Sequence, residues 1–275
     1  MKIYHILTIS CLLMSTASIA QNSERIPVLD GVVERTLIQQ KAPLAYEKLR
    51  EADVAWEKKI WRIVDVREKM NLTFTYPKRP FFNILQEAIA TGKITAYDGE
   101  KDDFSMPLST EEAVAKGVTL DTITTWDPVT YDEILKPIRN EVDYTEIKRF
   151  RIKEVWYFDE ESARMKVRLL GIAPIVEVVD ENGNFKYEQV LYWAYYPELR
   201  QVLASEQAPH LSNDANPMTW ENLLEMRYFS SYVYKASNIR DERIQDYISG
   251  GRDRLLEADK LEREIFNLEQ DLWSY

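Results

Sequence analysis

Hydrophobic positions along this chain recur first with a helical period, then alternate with a strand period, then return to the helical one. In residues 43–70, Trp56, Ile60 and Ile63 stand at i, i+4 and i+7, with Leu49 and Val64 flanking the same stripe. That spacing predicts a long helix with one buried and one charged face. Pro43 suits its first turn, where a missing N–H is no loss. Tyr76-Pro77 and Pro80 then break the chain. A second helix is expected over 81–90, stopped by Gly92, because glycine just past a helix end takes the left-handed turn without a Cβ clash. Ser109-Thr110-Glu111-Glu112 reads as a capping box opening a short helix over 110–116. The stretch 97–125 is acidic and turn-rich, and sets the expected boundary between a mainly helical part, 43–125, and a second part, 126–275. Residues 21–42, interrupted by Pro27 and Gly31, read as an extended N-terminal arm that either is disordered or gains order on a partner.

The second part opens with strand signals. Runs at 151–158, 164–170, 175–179 and 185–195 are rich in β-branched and aromatic residues and separated by short turns, so an antiparallel meander is expected. Leu170-Gly171-Ile172-Ala173-Pro174 reads as one of those turns. Asn182-Gly183, between the last two runs, is a strong hairpin signal. Alternation is clean from 164 to 169: Met165, Val167 and Leu169 point one way, and Arg164, Lys166 and Arg168 the other. Past Pro197 the pattern turns helical, over 198–205, 219–234 and 241–249, and Gly250-Gly251 precedes a last helix over 252–273. In that helix Ala258, Leu261, Ile265, Leu268 and Leu272 form a seam, with Asp259 and Arg263 paired on the outer side. Two heptads do not sustain an independent coiled coil, so the seam must pack on its own domain or on a neighbouring subunit. The predicted class is α+β: an N-terminal helical part, then an antiparallel β-meander with flanking C-terminal helices.

The first twenty residues limit what chemistry the rest can host. Lys2, an apolar run over 6–14 and small residues at Ser18 and Ala20 have the layout of a signal peptide cut after Ala20. The run is too short to span a bilayer, and no later segment reaches the ~20 uncharged apolar residues a spanning helix needs. Cys11 lacks the Leu-small-small approach of a lipidation site. Without this leader the chain has no cysteine and one histidine, His210. Thiol nucleophiles, disulfides, Cys-zinc sites and two-imidazole metal centres are thereby excluded. With 45% hydrophobic and 12% aromatic residues in the full chain of 275, one large domain or two smaller ones can bury a core. The net charge is −11, and since Lys2 is the leader's only charge the mature product stands at −12. Such a balance argues against nucleic-acid binding and unaided docking to anionic lipid.

Candidate chemistry is sparse. His210 lies in the loop QAPHLSNDANP with no Ser, Asp or second His at a telling spacing, and reads as solvated surface. Abundant carboxylates do not by themselves identify a glycosidase pair, which is defined by a separation in space. The acidic run 98–103 and the turn 180–184 lack the Gly and terminal Glu of a calcium loop. No phosphate cradle and no nucleophile elbow occurs. No catalytic group, cofactor or metal is expected. Tyr187, Tyr192, Trp193, Tyr195 and Tyr196 would suit a sugar-stacking platform, although strand alternation sends half of them to the core. The basic row Arg164, Lys166 and Arg168 in an acidic protein calls for carboxylates opposite, from the same chain or from a docking partner. Ile265, Leu268 and Leu272 are the seam positions for contact with a neighbouring subunit.

Five blocks carry a likeness: Trp56-Glu57-Lys58-Lys59-Ile60-Trp61-Arg62, Asp65-Val66-Arg67-Glu68-Lys69-Met70-Asn71, Arg151-Ile152-Lys153-Glu154-Val155-Trp156, Leu170-Gly171-Ile172-Ala173-Pro174 and Glu264-Ile265-Phe266-Asn267-Leu268-Glu269-Gln270-Asp271-Leu272-Trp273. In this order, over nearly the whole mature chain, they resemble the gliding-motility family GldN, also called PorN. The resemblance implies a non-enzymatic periplasmic component of the type IX secretion machinery. It also implies a ring with the outer-membrane lipoprotein GldK or PorK at the inner face of the outer membrane, and contact with the periplasmic part of the motor protein GldM or PorM. The family supplies no catalytic residues. The competing reading is an exported glycan-binding or glycan-active protein, which would need an exposed aromatic platform or a paired-carboxylate cleft. The intact mass of the exported protein checks the leader: a product beginning at Gln21 is expected, and one retaining Met1 or carrying lipid at Cys11 overturns the export argument.

Overall fold

The chain's main sheet starts at β1, Val54–Asp65, where burial alternates at first and then runs unbroken from Ile60 to Val64. The structure, a computed structural model, describes residues 38–126, 133–141, 144–180, 184–209 and 218–273. No long helix occupies 43–70: a 3-10 turn at Glu51–Asp53 leads into β1, and a second at Lys69–Thr75 follows it. The reason is an ambiguity of period. Trp56 and Ile60, four apart, share a face in a strand as they would in a helix, and an inner strand covered on both sides carries a continuous apolar run.

Helix α1, Phe81–Ala90, and Gly92 at φ 68° follow the sequence expectation. Strand β2 is Ala96–Asp98. In α2, Thr110–Lys116, Ser109 Oγ accepts from the Glu112 N–H at 3.2 Å while the Ser109 N–H donates to Glu112 Oε2 at 3.0 Å, the reciprocal capping box. Strands β3, Val118–Trp126, and β4, Glu133–Glu141, pair with each other antiparallel, where the pattern of residues raised no strand expectation. Strands β5, Ile147–Asp159, and β6, Arg164–Val179, form the longest pairing. The turn expected at 170–174 is absent, because β6 runs straight through it. Gly171 is there for close approach: a Cβ would lie 2.6 Å from the Phe104 ring. The run 185–195 is interrupted at Leu191, giving β7, Phe185–Val190, and β8, Tyr192–Tyr195, both paired with β6.

Helix α3 is Tyr196–Ser205, followed by the short pair β9, Gln207–Ala208, and β10, Met218–Thr219. The helix expected over 219–234 is corrected to α4, Trp220–Glu225, and a strand, β11, Tyr232–Ala236. Arg227 at φ 55° turns the chain between them, and the alternating Tyr-Val-Tyr of β11 fits the edge of the sheet. A short α5, Ile244–Tyr247, precedes α6, Gly251–Trp273. The sheet order is β11-β1-β5-β6-β8-β2, with β7 also on β6. No helix among the described residues is long and apolar enough to cross a membrane.

The largest core lies on one face of this α+β sheet, where Val64, Phe150, Ile152 and Ile172 meet helices α1, α3 and α4. Its centre is aromatic: the Phe81 and Trp220 rings are 4.6 Å apart, and Phe74 stands edge-on to Trp220 at 5.1 Å. On the same face, at the β11 end, Ala258 and Ile265 of α6 pack against Ile60, Val233 and Ile244. Trp61, Ala173 and Trp193 form a separate cluster on the opposite face. The seam of α6 therefore docks on its own sheet; Leu261 and Leu268 are half-buried, and the Leu272 side chain lies outside the described residues. Burying an Ile side chain contributes roughly 1.5–3 kcal/mol. We expect Ile265→Asp, which buries a charge at the 5% exposed centre of the seam, to cost about 3 kcal/mol or more. The check is the melting temperature of the isolated protein, and an unchanged value would contradict this packing.

Candidate interaction surfaces

The basic row on β6 finds its carboxylates within the chain. Lys166 Nζ lies 2.5 Å from Glu47 Oε2 and 2.7 Å from Asp159 Oδ2. Arg168 Nη2 donates to the Glu47 carbonyl at 2.9 Å, and its guanidinium sits over the rings of Tyr46, at 4.8 Å, and Tyr157, at 5.5 Å. Arg164 is exposed, in register with Asp159. The Lys166 ammonium, with help from the Ser162 hydroxyl, holds the Asp159 carboxyl down at about 2.

The segment these cations hold is pinned again a few residues upstream. The Arg200 guanidinium lies 3.7 Å from the Tyr46 ring centroid and pairs with Glu221 at 2.7 Å. Glu221, wholly buried, accepts the Leu44 N–H, while Arg200 donates to the Leu44 carbonyl. The Tyr46 hydroxyl donates to Glu225 at 2.6 Å, and burial together with that carboxylate pushes its pKa well up. Residues 44–47 thus form a strap bridging β6 and the α3–α4 pair. Sequence reasoning missed it, since Leu44, Tyr46 and Glu47 carry no periodic signal and their partners lie more than a hundred residues away.

A second missed group is centred on Glu154, which has no exposed surface. Its carboxylate lies 3.4 Å from Arg62 Nε and 2.9 Å from Arg227 Nη1, and accepts the Trp156 indole N–H at 2.8 Å. Arg62 reaches on to Glu262 of α6 at 2.6 Å. Its signal was available in the sequence, for Glu154 is a charged residue two positions from Ile152 on the core-facing side of a strand.

The third is another row of cations, Arg149, Arg151 and Lys153, which register places opposite Asp65, Ile63 and Trp61 of β1. Arg149 pairs with Asp65 at 3.3 Å and with Glu188. Lys153 lies between the Trp61 and Phe104 rings at 5.4 and 5.1 Å and donates to the Asp102 carbonyl; burial lowers its pKa. The alternation Arg149-Phe150-Arg151-Ile152-Lys153 is as legible as that of residues 164–168.

Among the described residues the remaining candidates gather no reactive constellation. Tyr192, Trp193 and Tyr196 are buried while Tyr187 is exposed, so the aromatic run is mostly core. Asp98 is held by Lys116 at 2.6 Å, and Asp103 accepts from Ser105. The Asn184 N–H donates to Asp180 Oδ1 at 2.8 Å, closing the hairpin. Among the described residues no group of three or more His, Cys, Asp or Glu is placed to hold a metal ion. His210 lies outside the described residues.

The family model described as gliding motility associated protein GldN matches residues 49–274. No curated protein matches the chain significantly.

Three outcomes test this arrangement. Lys166→Glu combined with Arg168→Glu should raise amide exchange over residues 44–50 of the isolated protein, and undisturbed protection there would refute the strap. Asp159's pKa is lowered on folding, so its contribution is present above the unfolded value of about 3.9 and lost as pH falls through about 2. Exchange over the same residues should therefore begin to rise only between about pH 4 and 2. Glu154→Gln should cost about 3 kcal/mol or more by leaving Arg62 and Arg227 without their buried counter-charge, as read from denaturant unfolding.

Proposed function

The chain belongs to the GldN family of gliding motility associated proteins, and from that membership we propose that it is a non-enzymatic periplasmic subunit of the type IX secretion and gliding machinery, ringed together with an outer-membrane lipoprotein of the GldK or PorK kind. The observation that carries this is the extent of the match, from before β1 to the end of α6, which takes in every strand of the main sheet. Families of gliding-motility proteins of this type are structural and are not known enzyme families. The side-chain chemistry agrees. Its strongest polar groups, Glu154, Arg62, Arg200 and Glu221, hold elements of the fold together.

Attachment to the outer membrane is borrowed from the lipoprotein, which fits a chain without a membrane-spanning helix among its described residues. The periplasmic part of a GldM or PorM motor protein is the second partner of the proposal. Of the residues proposed for partner contact, Arg164 is exposed and Leu268 is half-exposed. Lys166, Arg168 and Ile265 are engaged within this chain, so substitutions there act on the subunit before they act on assembly.

Tagged protein purified from the native host under mild detergent tests the proposal. Elution as a large assembly with a lipoprotein is expected. Elution as a free monomer without one, or release of sugar from a glycan substrate, would overturn it. His210→Ala should leave secretion and gliding intact at unchanged protein level; loss of either would reopen an enzymatic reading.

A further inference from the structure

A cleft of about 400 Å³ opens where β5, β1 and β11 meet α5 and the start of α6. Four arginines line it, Arg149 and Arg151 from the sheet and Arg243 and Arg254 from the C-terminal helices, against one lining carboxylate, Glu188. Glu188 is taken by Arg149, as is Asp65 beside it. The guanidinium groups of Arg151, Arg243 and Arg254 make no ion pair within 4.0 Å among the described residues, although Arg151 and Arg243 also line a neighbouring cleft with Asp102, Asp103, Asp241 and Asp246. Arg151 stacks over the Tyr234 ring at 5.1 Å, and its Nε is shielded from solvent without a hydrogen-bond partner. Nε of Arg254 is in the same condition, while its Nη2 reaches the Ser249 carbonyl at 2.9 Å.

Three guanidinium groups without a direct ion-pair partner converge on one concavity in a chain of net charge −11. Guanidinium forks pair best with planar carboxylates or with phosphates. The rest of the lining decides between these. Ile63, Ile244 and Leu255 give apolar walls, with Leu255 57% exposed, and such walls are matched by aliphatic side chains, which a phosphate group lacks. Three consecutive residues of β11, Tyr232 to Tyr234, line the cleft, and β11 is the terminal strand of the sheet, so an extended chain can run alongside it. About 400 Å³ admits a few side chains rather than a folded domain.

We propose that this cleft receives an extended acidic segment of a protein partner, with Asp or Glu side chains on Arg151, Arg243 and Arg254 and aliphatic side chains against Ile63, Ile244 and Leu255. The proposal goes beyond the scaffold role and stands whether or not the assembly described above is the right one.

The test uses the purified full chain and a short fluorescein-labelled peptide of alternating glutamate and leucine, read by fluorescence anisotropy. Its counterpart with lysine for glutamate, inorganic phosphate and phosphatidylglycerol vesicles are the comparisons. The glutamate peptide should bind, weaken as salt rises and lose at least about tenfold in affinity on Arg243→Gln, while the lysine peptide does not bind. Arg151→Gln should do the same where its melting curve shows a folded protein; if it does not fold, Arg254→Gln takes its place beside the exposed Arg243. Absence of glutamate-peptide binding, equal binding of the lysine peptide, or unchanged affinity in folded Arg243→Gln and Arg254→Gln would overturn the proposal. So would phosphate or vesicle binding that displaces the peptide and is itself abolished by these substitutions, which would make the cleft a phosphate site.

Discussion

The placement of the C-terminal third of this protein depends on one carboxylate that has left water. Glu154 sits in the sheet with no exposed surface, and two arginines converge on it, Arg62 from the neighbouring strand and Arg227 from the turn after α4. Desolvating each of these ions costs several kcal/mol, which mutual attraction offsets only if the geometry is kept. Arg62 extends the constraint by holding Glu262, so α6 is fixed in register as well as in position. A slip of α6 by one turn would still present apolar seam residues to Ile60 and Val233, but would pull Glu262 away from Arg62. Packing supplies the attraction of α6 for the sheet, and the charged group selects one alignment.

The parts of this fold legible in sequence are those whose signal is local. Residues 81–90 with Gly92, the capping box at Ser109 and Glu112, the helix at 198–205 and the long last helix each announce themselves within one element. The alternation from Arg164 to Leu169 likewise reports a real division of faces. Failures came where tertiary surroundings altered the local pattern. Strand β1 is enclosed on both sides, so its pattern lost the period that marks a strand. Gly171 and Pro174 read as turn residues, yet the glycine answers the approach of Phe104 from a loop some seventy residues away. The apolar run after Trp220 continues past Arg227, whose left-handed backbone no neighbouring residue predicts.

The charged sites divide in the same way. A row of like charges on a strand is visible in sequence; its counter-charges are not. Lys166 and Arg168 meet Glu47 from the strap, while Arg149 meets Glu188 from β7. The chain meets the demand for acidic partners largely from within. That matters for interpreting an acidic protein with basic stripes: a stripe is evidence of an acidic partner only after the carboxylates of its own chain have been assigned. By that criterion the β6 row is chiefly a clamp on residues 44–47, and Arg151, Arg243 and Arg254 are the cleft cations left without a direct ion pair.

The buried charges of this chain bind its own segments together. Here the fully buried carboxylates, Glu154 and Glu221, are each met by cations or hydrogen-bond donors of the same chain, and each ties together segments far apart in sequence. At the surface the fold leaves cleft guanidinium groups without an ion pair, and exposed apolar side chains on α6 such as Leu256 and Phe266. Unsatisfied surface on a rigid, internally cross-braced body is what association requires, because little ordering entropy then remains to be lost when a partner docks. The buried charges of this chain thus serve rigidity, which suits a body that docks on partners.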